Sequence, residues 1–448
     1  MFIFKKNTSN VISSFDDPGF NKNTLKGEVV VPGDKSMSQR ALIIGLISIG
    51  KTTIRGILDS EDVYFTMKAI ECLGAKVSID NDNKYISVLG VGIGNLVSPK
   101  KPIYMGNSGT GTRLLIGVVS GSNATVTFYG DKSLSKRPMD RIIEPLTKMG
   151  ASFIFSEDKK LPITVIGARK KGITMPIKYK IPVASAQIKS ALILCALSAR
   201  GTTTVQEPYK SRSYTEDMLK KCGVDICSKN NKKLINTVRV NGLQYLKSFN
   251  FTISGDPSSS AFIVIACLIT KGSKVTVKNI LKDSMRLNIF KVLKKMGAKV
   301  ILEKKSSNLC DIKAEYSELK NIKLKKSDVT SLIDEFPILS IAAACGKGKM
   351  IMQGLGELRY KESDRFKAIS EGLKKCGIEV NTYKDDMEIT GSKKITGDAK
   401  IVANNDHRIA MSFNILNLVA RKPIRIVGNK SINSSFPNFF ETIRSLQK

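Results

Sequence analysis

The sequence predicts an α/β protein of two similar lobes, each built from three copies of a helix–strand–helix–strand unit. Three observations carry that prediction. Glycines 74, 150, 223, 297 and 377 close the same local pattern at spacings of 76, 73, 74 and 80 residues. Each ends an amphipathic run, where Gly supplies a left-handed helix cap, and each is followed by a short strand-like run. Upstream lies an apolar helical run with a small, polar start, and a β-branched run separates the two helices. Unrelated helix–strand pairs do not recur at a near-constant period of about 75 residues, whereas stacked repeats do.

In chain order, the first unit follows a β-like run at 27–31 and a turn at Pro32-Gly33. Its helix starts at Asp34-Lys-Ser and runs on through apolar residues 41–49. Residues 52–57 read as a strand, and Cys-Leu-Gly-Ala-Lys-Val (72–77) as helix end plus strand. The second unit has Asn107-Ser-Gly-Thr, the run 125–129 and Lys-Met-Gly-Ala-Ser-Phe (148–153). The third has Ala184-Ser-Ala-Gln, 202–205 and Lys-Cys-Gly-Val-Asp-Ile (221–226). The fourth has Gly255-Asp-Pro-Ser-Ser, 274–277 and Lys-Met-Gly-Ala-Lys-Val (295–300). The fifth has Asp334-Glu-Phe-Pro, 349–352 and Lys-Cys-Gly-Ile-Glu-Val (375–380). The sixth has Asp406-His-Arg and 423–427, and is shorter than the others. Chain crossings near Pro32-Gly33 and Ser254-Gly255 divide the sequence into one lobe of 1–33 and 255–448 and a second of 34–254. If each lobe packs its units around an axis, the polar helix starts share one face, and two such faces form a cleft lined by positive helix ends.

The formal charge is +33. Lysines are scattered through Lys/Asn-rich stretches such as 229–234. Of 16 arginines, seven (Arg40, Arg113, Arg137, Arg212, Arg359, Arg365, Arg408) fall in Gly/Ser/Thr-rich segments. Arg is the side chain suited to bidentate phosphate and carboxylate binding, so this placement points to small anionic substrates. A nucleic-acid binder would interleave cations with exposed aromatics; here aromatics are 6%, with no Trp. Eight Cys without paired spacing read as buried free thiols of a reducing cytoplasm, mostly in apolar helical contexts. One His makes a His-based metal site untenable, so no metal is expected. No apolar run reaches membrane length, and the N-terminus lacks the pattern of a signal or transit peptide.

The segment Val-Pro-Gly-Asp-Lys-Ser-Met-Ser-Gln-Arg (31–40) places Lys35, Ser36, Ser38 and Arg40 at a helix's first turn, a place to hold a multiply charged anion. With this segment belong Gly-Asn-Ser-Gly-Thr-Gly-Thr-Arg (106–113), Gly-Asp-Lys-Ser-Leu-Ser-Lys-Arg-Pro-Met (130–139) and Ala-Ser-Ala-Gln-Ile-Lys-Ser-Ala (184–191). Further on stand Asp-Glu-Phe-Pro (334–337), Glu-Leu-Arg-Tyr-Lys-Glu-Ser-Asp-Arg (357–365) and Asp-His-Arg-Ile-Ala-Met (406–411). The 106–111 run lacks the Gly-Lys-Ser/Thr ending of a P-loop and reads as a polar helix start.

Taken together these segments resemble the 3-phosphoshikimate 1-carboxyvinyltransferase (5-enolpyruvylshikimate-3-phosphate synthase) family, from about residue 25 to the end. The resemblance implies the enolpyruvyl transferase fold, an inside-out α/β barrel of two lobes with three βαβαββ units each and the active site in the cleft between them. It implies transfer of the enolpyruvyl group of phosphoenolpyruvate to the 5-hydroxyl of shikimate 3-phosphate. By the same resemblance, Lys35, Ser36, Arg40, Ser185, Gln187, Arg212, Asp334 and Lys361 bind shikimate 3-phosphate. Lys35, Gly109, Arg137, Gln187, Arg365 and Arg408 bind phosphoenolpyruvate. Asp334, read as standing at a helix start, matches the base, and Glu362 or Lys35 is the acid. Addition and elimination need no cofactor, and a cytoplasmic monomer is expected. Gln39 stands where many members carry His, Ser213-Tyr214 replaces an Asp-His pair of one branch, and Ser435 replaces a Lys of another. The sister enzyme acting on UDP-N-acetylglucosamine is the alternative. It works with a loop Cys in its first domain, whereas Cys72, Cys195, Cys222 and Cys227 here read as lying in helices or near their ends.

Overall fold

The computed structural model describes residues 24–448 apart from 83, 156–157 and 231–234. Expectations about residues 1–23 and about the run 231–234 lie outside the described residues. The chain divides into two compact units, Lys35–Ile253 and 24–34 with Ser254–Lys448, and each has its own hydrophobic core.

The α/β expectation holds, and the five glycine caps show why the repeat was visible in sequence. Gly74, Gly150, Gly223, Gly297 and Gly377 all have φ between +83° and +111°, a region where a Cβ is strained. Each turns a helix end into a strand.

In the Lys35–Ile253 unit three four-stranded sheets share one plan. An edge strand pairs in parallel with a second strand, which continues antiparallel into a third and fourth. Ile103–Tyr104 lies beside Thr125–Tyr129, then Ile163–Ile166 and Ser152–Phe155. With helices Gly109–Ser120 and Asp140–Lys148 between the strands, the order is βαβαββ. The third repeat uses Lys178–Lys180, Thr202–Glu207, Asn236–Asn241 and Ile226–Asn230 in the same way. The first repeat takes its parallel edge strand from the far end of the unit, Phe251–Thr252 against Lys51–Arg55. In the other unit the edge role falls to Lys26–Val30, parallel to Lys274–Leu281. The fifth repeat has three strands, with a parallel bridge from Lys323 to Ile351 where the edge strand would run, and the sixth is a parallel pair.

Each repeat has one helix buried almost throughout and one that is half-exposed. Lys35–Ile47, Gly109–Ser120 and Ala186–Ala196 are the buried helices of one unit, and Pro257–Ile269, Phe336–Cys345 and His407–Asn417 those of the other. Polar side chains cluster in the first two turns of most of them, and the rest of each helix is largely apolar. Their close packing requires small residues. A Cβ on Gly117 would stand 2.4 Å from the Ala191 carbonyl oxygen.

Two sequence readings need correction. The first helix begins at Lys35, so Arg40 belongs to its second turn and is 3% exposed. Cys227 sits in the strand Ile226–Asn230, and it and Cys72 are exposed rather than buried. A Cys followed closely by a polar Ser-Lys-Asn run has no apolar partner positions to hold it in a helix.

Candidate active site

The polar starts of the three buried helices meet within the Lys35–Ile253 unit. Gln39 donates through Nε2 to Ser108 Oγ on the second helix start and to Thr66 Oγ1. Arg113 donates through Nη1 to Gln187 Oε1 on the third helix at 3.0 Å and through Nη2 to the Pro138 carbonyl at 3.1 Å. Gln187 returns a bond to Thr110 Oγ1. Arg137 donates to Asn107 Oδ1. Gly109 lies under both guanidiniums: a Cβ there would be 2.8 Å from Arg137 Nη1 and 2.9 Å from Arg113 Nη1. Lys35 Nζ is 2.9 Å from Asp62 Oδ2. Arg40 gives Nε to Thr215 Oγ1 at 2.9 Å, Nη2 to Ser190 Oγ at 3.2 Å and Nη1 to the Ser36 carbonyl at 3.0 Å. Ser185 caps the third helix, accepting from the Ile188 amide.

Behind this face Lys189 is fully buried, 2.8 Å from one oxygen of Glu207 and 2.8 Å from one of Glu216. Glu207 also accepts from the amide and hydroxyl of Ser211 and from Asn236. The cluster ties the third helix to the segment that carries Arg212 and Thr215. Two carboxylates share one ammonium ion, and burial holds the Glu216 carboxyl above its ordinary range despite Lys189.

In the other unit the starts of Pro257–Ile269, Phe336–Cys345 and His407–Asn417 likewise converge. Asp334 Oδ1 lies 3.4 Å from Lys361 Nζ and 3.7 Å from Arg365 Nη1. Arg408 Nη1 donates to the Asp334 carbonyl at 2.6 Å and lies 3.6 Å from Glu335 Oε1. Arg365 is 1% exposed. It donates through Nε to Asp406 Oδ2 at 2.8 Å and through Nη2 to Glu362 Oε2 at 2.6 Å. Burial alone would lower its pKa, but Asp406, Glu362 and Asp334 together raise it, so it is a fixed cation. Its Nη1 is buried and makes no hydrogen bond among the described residues. Asp406 caps the last of these helices through the Arg408 and Ile409 amides while holding Arg365.

Asp334 precedes the helix start. Glu335 occupies the N-cap position of Phe336–Cys345, and its side chain does not cap. His407 Nδ1 is 3.3 Å from Ser434 Oγ, a contact among its own unit's residues. Thus Lys35, Ser36, Arg40, Gly109, Arg137, Ser185, Gln187 and Arg212 belong to one unit, and Asp334, Lys361, Glu362, Arg365 and Arg408 to the other. Arg113, Asp62, Asp406 and the Lys189 cluster were not among the site residues read from sequence. Arg113 was signalled by its place in the Gly/Ser/Thr-rich segment. A Lys inside an otherwise apolar helix, as at 189, was a signal for buried pairing.

Buried thiols in the first unit are unreactive by environment: desolvation pushes Cys195 up and Cys222 up to about 11. Among the described residues no helix is long and apolar enough to cross a membrane.

The model of the EPSP synthase (3-phosphoshikimate 1-carboxyvinyltransferase) family matches residues 21–443. The chain is 43% identical over 427 residues to the 3-phosphoshikimate 1-carboxyvinyltransferase of Parvibaculum lavamentivorans, covering 94% of each. It is 40% identical to that of Bartonella quintana, covering 95% of this chain and 97% of the other. Among solved structures, EPSP synthase from Acinetobacter baumannii superposes with a TM-score of 0.81 at 36% identity, covering 95% of this chain and 96% of that one. The enolpyruvyl transferase NikO from Streptomyces tendae shares the fold, with a TM-score of 0.74 at 15% identity and the same coverage.

Proposed function

The chain belongs to the EPSP synthase (3-phosphoshikimate 1-carboxyvinyltransferase) family, and from that premise we infer how its residues divide the work of transferring an enolpyruvyl group. The reaction, EC 2.5.1.19, joins phosphoenolpyruvate to the 5-hydroxyl of shikimate 3-phosphate and releases phosphate, a step of the shikimate pathway toward aromatic amino acids. The observation that carries the assignment of roles is the Asp334 cluster. One carboxylate has two cations, Lys361 and Arg365, within 4 Å; the buried Arg365 Nη1 makes no hydrogen bond among the described residues, and Arg408 stands beside it, donating through Nη1 to the Asp334 carbonyl. Such donors fit a phosphorylated carboxylate.

Asp334 takes the proton of the 5-hydroxyl as that oxygen bonds to C2 of phosphoenolpyruvate, while a proton is delivered to C3. In the adduct C2 carries both the new ether oxygen and the phosphate. Loss of phosphate from C2 and of a proton from C3 restores the double bond. Lys35 or Glu362 donates the proton to C3. Lys35 brings its proton as an ammonium ion held by Asp62. Glu362 would have to arrive protonated while accepting from Arg365. Arg40, Ser36, Ser185, Gln187, Arg212 and Lys361 hold shikimate 3-phosphate; Arg137, Gly109, Gln187, Arg365 and Arg408 hold phosphoenolpyruvate, with Lys35 reaching both. The enzyme acts as a monomer on small molecules, without nucleic acid. Its eight free cysteines suit a reducing cytoplasm.

Phosphate release from phosphoenolpyruvate tests this reading, with shikimate 3-phosphate, UDP-N-acetylglucosamine or no acceptor. Release only with shikimate 3-phosphate is expected. Release only with the UDP-sugar would overturn the assignment.

A further inference from the structure

Glu335 sits inside the Asp334 cluster and has no part in the scheme above. A carboxylate at an N-cap position ordinarily accepts from first-turn amides, but this one is turned inward and 1% exposed. Its Oε1 accepts from Ser258 Oγ and lies 3.6 Å from Arg408 Nη1. Its Oε2 has no hydrogen-bond partner among the described residues. A half-satisfied buried carboxylate is costly to keep, and neither helix capping nor core packing accounts for it here.

Ser258 is itself fixed. Its hydroxyl accepts from Arg286 Nη2 at 2.6 Å. Arg286 is 3% exposed, and it is held by Asp34 at 3.0 Å through Nη1 and by Asp256 through Nη2. A chain of buried contacts therefore runs from Arg286 through Ser258 and Glu335 to the guanidinium of Arg408. The Arg408 nitrogen that faces Glu335 also donates to the Asp334 carbonyl.

We infer that Glu335, seated by Ser258 and Arg286, is a positioning residue for phosphoenolpyruvate: it fixes the protein-facing nitrogen of Arg408 so that the rest of that guanidinium meets the anion. The inference rests on the assignment of Arg408 to phosphoenolpyruvate. Glu335 touches neither substrate and takes no part in proton transfer.

The test is kinetic. Glu335→Gln keeps the volume and an acceptor for Ser258 but removes the charge facing Arg408. The expected result is a rise of about tenfold in KM for phosphoenolpyruvate, the scale of one hydrogen bond to a charged group. KM for shikimate 3-phosphate should stay within about twofold of wild type. Ser258→Ala should move the same constant in the same direction by a smaller factor. The double variant should be no worse than Glu335→Gln, because the two act in series. Thermal midpoints are measured on the same preparations. A lowered midpoint with KM for phosphoenolpyruvate unmoved would make Glu335 structural and overturn the inference. An equal rise for both substrates would overturn it too. Should Glu335→Gln not fold, Ser258→Ala decides by the same criteria. The wild-type arm separates the two levels: no phosphate release there sinks the function itself, whereas unmoved variants beside an active wild type sink only the role of Glu335.

Discussion

Adding one methyl group at Gly109 should separate phosphoenolpyruvate binding from everything else the protein does. The new Cβ would stand 2.8 Å from Arg137 Nη1 and 2.9 Å from Arg113 Nη1. Ordinary contact begins near ~3.4 Å, so both guanidiniums must retreat by about half an ångström. Both are the ends of flexible side chains, and the Gly109 backbone is helical, so the fold accommodates the change. Alanine even favours the helix by up to ~1 kcal/mol over Gly. The displacement falls on function. Arg113 Nη1 sits 3.0 Å from Gln187 Oε1, and half an ångström more takes that bond to the limit of hydrogen bonding. Weakening one or two bonds to charged groups costs about 1–2 kcal/mol, or roughly five- to thirtyfold in an equilibrium. With Arg137 displaced as well, Gly109→Ala should raise KM for phosphoenolpyruvate by about tenfold, with the thermal midpoint unchanged and KM for shikimate 3-phosphate, whose contacts share only Gln187 with the displaced groups, raised no more than about twofold. Steady-state kinetics with each substrate varied at saturation of the other reads this directly. An unaltered KM for phosphoenolpyruvate, or a change confined to shikimate 3-phosphate, would refute the reasoning.

Asp334→Ala should bind both substrates by calorimetry yet lose roughly 10²–10⁴-fold in turnover, with little loss of stability because Glu335 holds the N-cap position; a fully active variant would move the base elsewhere. Arg365→Lys should raise KM for phosphoenolpyruvate by tenfold or more despite conserved charge, since one ammonium cannot serve Asp406, Glu362 and an anion together; unchanged kinetics would remove Arg365 from the site. Alkylation near neutral pH should label exposed Cys72 and Cys227 while sparing Cys222, whose thiol burial pushes up to about 11, and Cys267 and Cys376, pushed to about 12; mass spectrometry locates the labels, and activity should survive. Glu216→Gln should raise the thermal midpoint at pH 8. The folded-state pKa of Glu216 is raised, so wild-type stability is greatest below the ordinary carboxyl value and is lost as pH rises through the folded pKa, whereas Gln does not titrate. The gain should shrink toward pH 4.5, and a gain that grows on acidification would contradict the stated direction.

What the sequence disclosed follows from where each constraint is written. The five caps were legible because a left-handed residue is a local demand that Gly alone meets cheaply. The buried helices were legible because their apolar runs are continuous. Edge strands of two residues, Ile103–Tyr104 and Phe251–Thr252, carry too few side chains to form a pattern, so the fourth strand of those sheets could not be read. The arginines of the Gly/Ser/Thr-rich segments stood out because they break otherwise small, polar runs. Their fixing partners did not. Asp62 holds Lys35 across 27 residues, Thr215 holds Arg40 across 175, and Glu335 reaches Ser258 across 77. Only the folded chain brings such pairs together. Arg40 was placed a turn early although the helix start at Asp34-Lys-Ser was legible: at about 3.6 residues per turn from Lys35 it falls in the second turn.

The most direct measurement runs the reaction in deuterium oxide with phosphoenolpyruvate and shikimate 3-phosphate and examines the product by mass spectrometry and NMR. Because C3 gains a solvent-derived proton and then loses one, the account predicts an enolpyruvyl ether on the 5-oxygen, with deuterium in its methylene group and one phosphate released per ether formed. Phosphate released without the ether, or an ether free of deuterium, would contradict it.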